Sequence, residues 1–259
     1  MAGRGRVTLV GGGPGDPELL TVAAVAALRE AEVVLYDRLA PHDTLASLAP
    51  DALLVDVGKR PGHHPIGQEG IEALMVQHAL DGSVVVRLKG GDPYVFGRGS
   101  EEVLACHRAG IAVRVIPGVS SSIAVPAAAG IPLTHRNLSH LFTVVSGHAP
   151  LSDDEHRHLA GLGGTVVVLM GVGTLPSICN GLLTAGLAAE TPVAIVERGF
   201  SETQRTTIAD LGSILHVAAA AAVRSPAVII IGHVVSFAFD GDAEANALME
   251  RAERLAALA

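Results

Sequence analysis

Short, nearly uncharged apolar runs alternate with longer amphipathic stretches through the first half of the chain. The runs VTLVGG (residues 7–12), VVLYD (33–37), LLVDVG (53–58), VVVRLKGG (84–91) and AVRVIPG (112–118) have the length and β-branched content of strands buried on both faces. Helical spacing lies between them, from Gln68 to about Ala79 and from Gly99 to about Ala109. A further helix follows the first run. Asp16 can cap it, Pro17 suits its first position, Glu18 suits its dipole, and Leu19, Leu20, Ala23, Val25, Ala26 and Leu28 form an apolar face. Five strands with intervening helices predict an open parallel α/β sheet with right-handed crossovers.

The pattern restarts after Pro117 and Gly118. FTVVSGH (142–148), TVVVLMG (165–171), PVAIVERG (192–199) and AVIIIG (227–232) read as strands, with helical stretches at 175–185, 207–220 and 243–258. QRTTIADL (204–211) also admits a short edge strand, which makes the second sheet mixed. The expected organisation is therefore two α/β domains, 1–117 with an open parallel sheet and 118–240 with a mixed one, followed by a helical tail at 241–259. That Ala-rich tail docks, forms a dimer contact, or frays. Ligands of open α/β sheets lie beyond the carboxyl ends of the strands, so the active site is expected in a cleft between the two domains.

Composition narrows the class. The apolar fraction of 49% in 259 residues is spread along the chain, and no apolar run approaches the roughly 20 residues of a membrane span. The N-terminus passes into a strand-like run without a secretory signal, which makes the cytoplasm the expected location and no membrane partner expected. A net charge of −8 argues against nucleic acid as a partner. Cys106 and Cys179 lack any CxxC spacing and read as buried, inert thiols; no spacing among the 12 histidines is diagnostic of a metal. Of the 18 basic residues only Lys59 and Lys89 are lysines. Lysine can surrender its proton where arginine effectively cannot, so these two positions are candidates for chemistry.

Two glycine loops share an ending: GGGPGDP (11–17) and GGDP (90–93). Neither is a dinucleotide fingerprint, since Pro17 and Glu18 open the helix where G-x-G-x-x-G needs glycine, and no Lys-Ser/Thr follows as a P-loop requires. Glycines let a ligand approach the backbone, and the aspartates offer acceptors to hydroxyls, amines or a cation, which suits a ligand with ribose hydroxyls, an amine and a positive sulfur. Asp37, at a strand end, either caps the next turn or acts as a general base. Arg38, Lys59, Arg60, Lys89, Arg98 and Arg136 stand near these loops and would suit a substrate bearing several carboxylates.

In the segments VTLVGGGPGDPELLT, YDRL, GKRPGHH, RLKGGDPYVFGRGSEE, VIPGVSSSIAVPAAAGIPLTHR, VVVLMG, PVAIVERGFSETQR and PAVIIIGHVV, in order over residues 7–235, the chain resembles the S-adenosylmethionine-dependent tetrapyrrole methylases. The runs through GRGSEE and GIPLTHR point to the first enzyme of that branch. The resemblance implies methylation of uroporphyrinogen III at carbons 2 and 7, giving precorrin-2 by way of precorrin-1, for sirohaem or cobalamin synthesis. It implies S-adenosylmethionine as cofactor, S-adenosylhomocysteine as its product, no metal, and a homodimer. Carried over by motif, the cofactor site comprises Pro14, Gly90, Gly91, Asp92, Val95, Ser120, Ser121, Met170 and Gly199. Asp37 and Lys59 take proton acceptor and donor roles. A methyltransferase acting on a later precorrin is the alternative. Serines in PGVSSS, where relatives often carry threonine and alanine, and Tyr94, where phenylalanine is frequent, are modest departures.

Overall fold

The computed structural model describes residues 5–58 and 66–238. The chain divides into two compact units, Met1–Ser120 and Ser121–Ala259; the expected boundary was 117/118, and the expected tail at 241–259 lies outside the described residues.

In the first unit, β1 (Arg6–Gly11), α1 (Val22–Arg29), β2 (Val33–Tyr36), a helical turn α2 (Leu45–Leu48), β3 (Leu53–Asp56), α3 (Gln68–Leu80), β4 (Val84–Lys89), α4 (Gly99–Arg108) and β5 (Ala112–Ile116) follow in order. The five strands form one sheet, β3-β2-β4-β1-β5, with every neighbouring pair parallel. Both faces of the central strands β1, β2 and β4 are covered, which explains why their runs are so largely apolar. Val7, Leu9, Val33, Leu35 and Val85 pack on one face with Met75 of α3 and Cys106 of α4, while Val10, Val34, Val86 and Leu88 pack on the other with Leu28 of α1. Each fully buried Val or Leu contributes about 1.5–3 kcal/mol. The start of α1 corrects the sequence expectation. Asp16 caps only a 3₁₀ turn at Pro17–Leu19; Leu20 is then extended, and the helix begins anew with Thr21 Oγ1 accepting from the Ala24 N–H at 3.1 Å.

The second unit runs α5 (Ser121–Ala128), β6 (Phe142–Ser146), α6 (Asp153–Leu162), β7 (Thr165–Leu169), α7 (Leu175–Thr184), β8 (Pro192–Glu197), β9 (Arg205–Asp210), α8 (Ile214–Ala220) and β10 (Ala227–Ile231). Its sheet, β6-β7-β10-β8-β9, is mixed: β6 pairs parallel with β7, whereas β10 lies antiparallel to β7 and β8, and β8 to β9. Alternation again sorts the core, with Val166, Val168, Ile195 and Ile229 on one face and Val167, Ala194, Val196 and Ile230 on the other. The edge strand that QRTTIADL admitted is present as β9, whose β-branched Thr206, Thr207 and Ile208 pair with β8, and the helix expected over 207–220 is accordingly reduced to α8. Besides the one-turn α2, two longer helices went unforeseen. Pro126 inside α5 obscured it, although that proline is buried and tolerated there. α6 announces itself in S-D-D-E, where Ser152 and Glu155 form a reciprocal capping box. No described helix is long and apolar enough to cross a membrane.

Candidate active site

At the C-terminal edge of the first sheet three backbones approach so closely that only glycine fits. A Cβ on Gly11, at the end of β1, would lie 2.5 Å from Gly118 Cα and 2.8 Å from the Gly91 carbonyl oxygen. The two glycine loops are also joined by hydrogen bonds: Gly12 N–H donates to Lys89 O at 2.7 Å, and Gly91 N–H to Gly13 O at 2.6 Å. Gly13 and Gly91 take positive φ, of 72° and 65°, where a side chain would be strained. Gly90 is required for a different reason, since a Cβ there would come within 2.9 Å of Leu39 Cβ in the loop after β2.

The repeated aspartates turn out to be repeated turns. Asp16 Oδ1 accepts from the Glu18 N–H at 2.8 Å, and Asp92 Oδ1 accepts from the Tyr94 N–H at the same 2.8 Å. Asp92 does more, because its Oδ2 accepts from the Gly118 N–H at 3.1 Å and so ties the β4 loop to the β5 loop. The expectation that both carboxylates serve a ligand is corrected to this extent: each first satisfies its own backbone. A carboxylate oxygen has more than one acceptor site, so half-buried Asp92 retains capacity for a further donor. Nearby, Pro14 and Val95 are half-buried, and Gly15, at φ 124°, has nothing within 4 Å of where a Cβ would stand. The open space beside Gly15 lets a ligand approach this backbone.

Asp37 follows β2, and Arg87 and Lys89 lie on β4, all on the same sheet face by period two. Arg87 is the largest fully buried side chain among the described residues. Its Nη2 donates to Asp37 Oδ1 at 2.6 Å and its Nε to Glu102 Oε1 of α4 at 3.0 Å. Lys89 Nζ donates to Glu102 Oε1 at 3.0 Å. Burial, reinforced by the neighbouring Arg87 charge, pushes the Lys89 ammonium below its ordinary pKa. Lys89 therefore sits beneath the loop, 3% exposed, and the reading that it grips a substrate carboxylate is corrected: its charge is already spent on a buried partner. Neither Arg87 nor Glu102 was singled out from the sequence, although Arg87 breaks an otherwise apolar strand and Glu102 stands four residues before buried Cys106 on one helical face.

Among the expected substrate-gripping arginines, Arg38 and Arg136 are exposed and no described carboxylate engages them. Arg98, also exposed, is held by Glu101 through Nε at 2.9 Å and Nη2 at 2.5 Å, so a substrate carboxylate there would have to displace Glu101. Lys59 and Arg60 lie outside the described residues.

In the second unit the corresponding edge is also shaped by close backbone. Gly147 after β6 and Gly171 after β7 abut, with a Gly147 Cβ falling 2.5 Å from Gly171 Cα, and Thr174 Oγ1 donates to Gly147 O at 2.6 Å. Met170 is exposed in left-handed conformation at φ 58°, an uncommon state for a non-glycine residue. A Cβ on Gly199 would meet the Val125 methyls at 2.8 Å, so glycine lets α5 seat against the end of β8. Ser121 precedes Val125 by one helical turn on the same face, which brings Ser121 and Gly199 to one edge; Ser120 is buried just before the helix. The β8 end is fixed by Glu197, fully buried, which accepts from Arg205 Nε at 2.7 Å and the Arg224 N–H at 2.9 Å. Glu197 was also missed, although it is the one charge in PVAIVE. Among the described residues no group of three or more His, Cys, Asp or Glu could hold a metal ion.

Residues 6–215 match the family of tetrapyrrole (corrin/porphyrin) methylases. The chain is 46% identical over 235 residues to a uroporphyrinogen-III C-methyltransferase of Methanocaldococcus jannaschii, covering 90% of this chain and 97% of that protein. It is similar to a solved structure of uroporphyrin-III C-methyl transferase from Thermus thermophilus complexed with S-adenyl homocysteine, at 45% identity and TM-score 0.75, covering 89% of this chain and 99% of the other. A cobalamin biosynthetic enzyme, cobalt precorrin-4 methyltransferase, shares the fold at TM-score 0.78 but only 26% identity, covering 89% of this chain and 95% of the other.

Proposed function

Because the chain belongs to the tetrapyrrole (corrin/porphyrin) methylases, we propose that it transfers methyl groups from S-adenosylmethionine to carbons 2 and 7 of uroporphyrinogen III, giving precorrin-2 by way of precorrin-1, the precursor of sirohaem and cobalamin. The observation that carries this reading is the 46% identity to a uroporphyrinogen-III C-methyltransferase over 97% of that relative's length. The precorrin-4 methyltransferase has the slightly higher TM-score, 0.78 against 0.75, but its 26% identity sets it further off in side chains. Side chains, not backbone, choose the tetrapyrrole.

The residues fit the cofactor chemically. The donor set is backbone, hydroxyls and one half-buried carboxylate, which suits a sulfonium, an amine and ribose hydroxyls. Pro14, Gly90, Gly91, Asp92 and Val95 in the first unit, with Ser120, and Ser121, Met170 and Gly199 in the second, are the proposed cofactor positions. The sulfonium supplies an already activated methyl, so the protein's work is positioning: the reacting atoms must be brought to about 3–3.5 Å. Attack by a pyrrole carbon leaves the ring cationic and a proton to be lost. Asp37 is the proposed acceptor and Lys59 the proposed donor, while Arg38, Arg60, Arg98 and Arg136 hold acetate and propionate groups. The likeness to the family also supports a homodimer working in the cytoplasm.

The test is incubation with uroporphyrinogen III and methyl-labelled S-adenosylmethionine, counting methyl groups by mass spectrometry. Transfer of two per tetrapyrrole is expected. No transfer to uroporphyrinogen III, with transfer to a later precorrin, would replace the substrate while keeping the reaction class.

A further inference from the structure

Four charged side chains meet on one face of the first sheet, and only one of them reaches the surface. The side chains of Arg87, Lys89 and Glu102 are 2%, 4% and 0% exposed, whereas that of Asp37 is 31% exposed. Glu102 Oε1 accepts from Arg87 Nε, from Lys89 Nζ and, at 3.4 Å, from Gln68 Nε2. Arg87 is held on its other side as well, with Nη1 donating to the Leu88 carbonyl at 3.0 Å. The guanidinium therefore cannot rotate without breaking bonds to two elements. It grips Asp37 by Oδ1 alone; Oδ2 stands 4.0 Å from Lys89 Nζ, beyond hydrogen-bond reach, and has no hydrogen-bond partner among the described residues.

We infer that Glu102 is a positioning residue for methyl transfer: through Arg87 it fixes the Asp37 carboxylate with one oxygen held and the other presented to the substrate. This rests on the methyltransferase reading above. Burying two cations and a carboxylate is costly, and apolar residues of similar volume would often fold as well or better. The lowered pKa of Lys89, caused by burial first, is a sign of that cost. What the arrangement secures is direction. When the methylated, cationic tetrapyrrole gives up a proton, the bond to that hydrogen breaks, its electron pair returns to the ring system and neutralises it, and an O–H bond forms at Oδ2, which a freely turning carboxylate would meet in the right geometry only part of the time.

The experiment is steady-state methylation of uroporphyrinogen III by Glu102→Gln, Asp37→Ala and the double variant, with S-adenosylhomocysteine affinity measured by calorimetry. Expected for Glu102→Gln is a kcat reduced by about tenfold or more with KM and S-adenosylhomocysteine affinity within about threefold, and no further loss when it is added to Asp37→Ala. A kcat within about twofold of wild type, or losses that multiply in the double variant, would overturn the inference. If Glu102→Gln does not fold, Arg87→Lys, which keeps the charge and loses the fork, carries the same expectations. If the wild-type protein leaves uroporphyrinogen III unmethylated, the functional reading falls, and a crystal structure of Glu102→Gln decides the inference: Asp37 still bonded to Arg87 overturns it, Asp37 released supports it.

Discussion

The imidazole of His156 occupies the space that a side chain on Gly181 would need. A Cβ there would lie far closer than 3.0 Å to His156 Cε1, Nε2 and Cδ2, which locks α6 against α7. His156 is 3% exposed, and neither ring nitrogen has a hydrogen-bond partner among the described residues, so the ring acts as a packing element. Gly181→Ala is expected to lower the free energy of unfolding by about 1–3 kcal/mol through overpacking. Guanidinium denaturation measures this, and much of the loss should disappear in a His156→Ala background; an equal loss there would show that the ring is not the obstacle.

Asp16 and Asp92 make the same turn, but only Asp92 also reaches a second loop. Asparagine keeps one carbonyl oxygen and replaces the other by a donor, so Asp92→Asn should leave either the Tyr94 or the Gly118 N–H facing an NH2 group, at about 1–2 kcal/mol. Asp16→Asn, with a single N–H to satisfy, should cost less than about 0.5 kcal/mol. Chemical denaturation of the two variants compares them. Equal losses would mean that the tie to Gly118 contributes nothing.

Glu155 closes the α6 capping box. The Ser152 backbone N–H, donating to Glu155 Oε2 at 2.7 Å, and then the Ser152 hydroxyl hold its carboxyl below the ordinary value of 4.5. A carboxyl depressed in the folded state stabilises fully above the unfolded value and loses that contribution as pH falls through its folded value. Wild type should therefore melt above Glu155→Gln at neutral pH, with the gap closing below about pH 4.5. A gap independent of pH, followed by thermal melts, would remove the charge from the cap.

Burial pushes the Cys106 and Cys179 thiols up to about 11, with the Glu102 charge adding to the effect at Cys106. At pH 8 on the order of one thiol in a thousand is then ionised. Neither should react with a thiol-specific reagent in the native protein, and both should react at once in denaturant. Fast native labelling of Cys106 would mean that α4 lifts from the sheet.

Much of the architecture was legible because strands buried on both faces write themselves as apolar runs, and ten such runs or edge strands set two sheets. Local competition hid the rest. Asp16 and Pro17 resemble a helix start, yet Leu20 turns extended and Thr21 does the capping. The 207–220 stretch has helical spacing, yet pairing with β8 recruits its first residues into an edge strand. In the candidate site, the repeated glycine loops were legible as more than plain strand-to-helix turns, whereas Asp37 read as a turn cap or a general base until the family resemblance gave it a role. Arg87 and Glu102 were not, because a charge inside an apolar run acquires meaning only when its partner is known.

Glycine spacing and apolar periodicity are properties of neighbouring residues, and they carried the two α/β units, the family, and the loops from which a methyl donor would be held. Tertiary structure decided which of those residues hold each other. The aspartate of each Gly-Asp-Pro loop proved to satisfy its own backbone, and Lys89, one of only two lysines in the chain, proved to lie under the sheet edge with Glu102. The physical reason is register: Leu35 stands opposite Arg87 across β2 and β4, and that pairing, invisible along the chain, is what sets Asp37 within reach of a buried guanidinium.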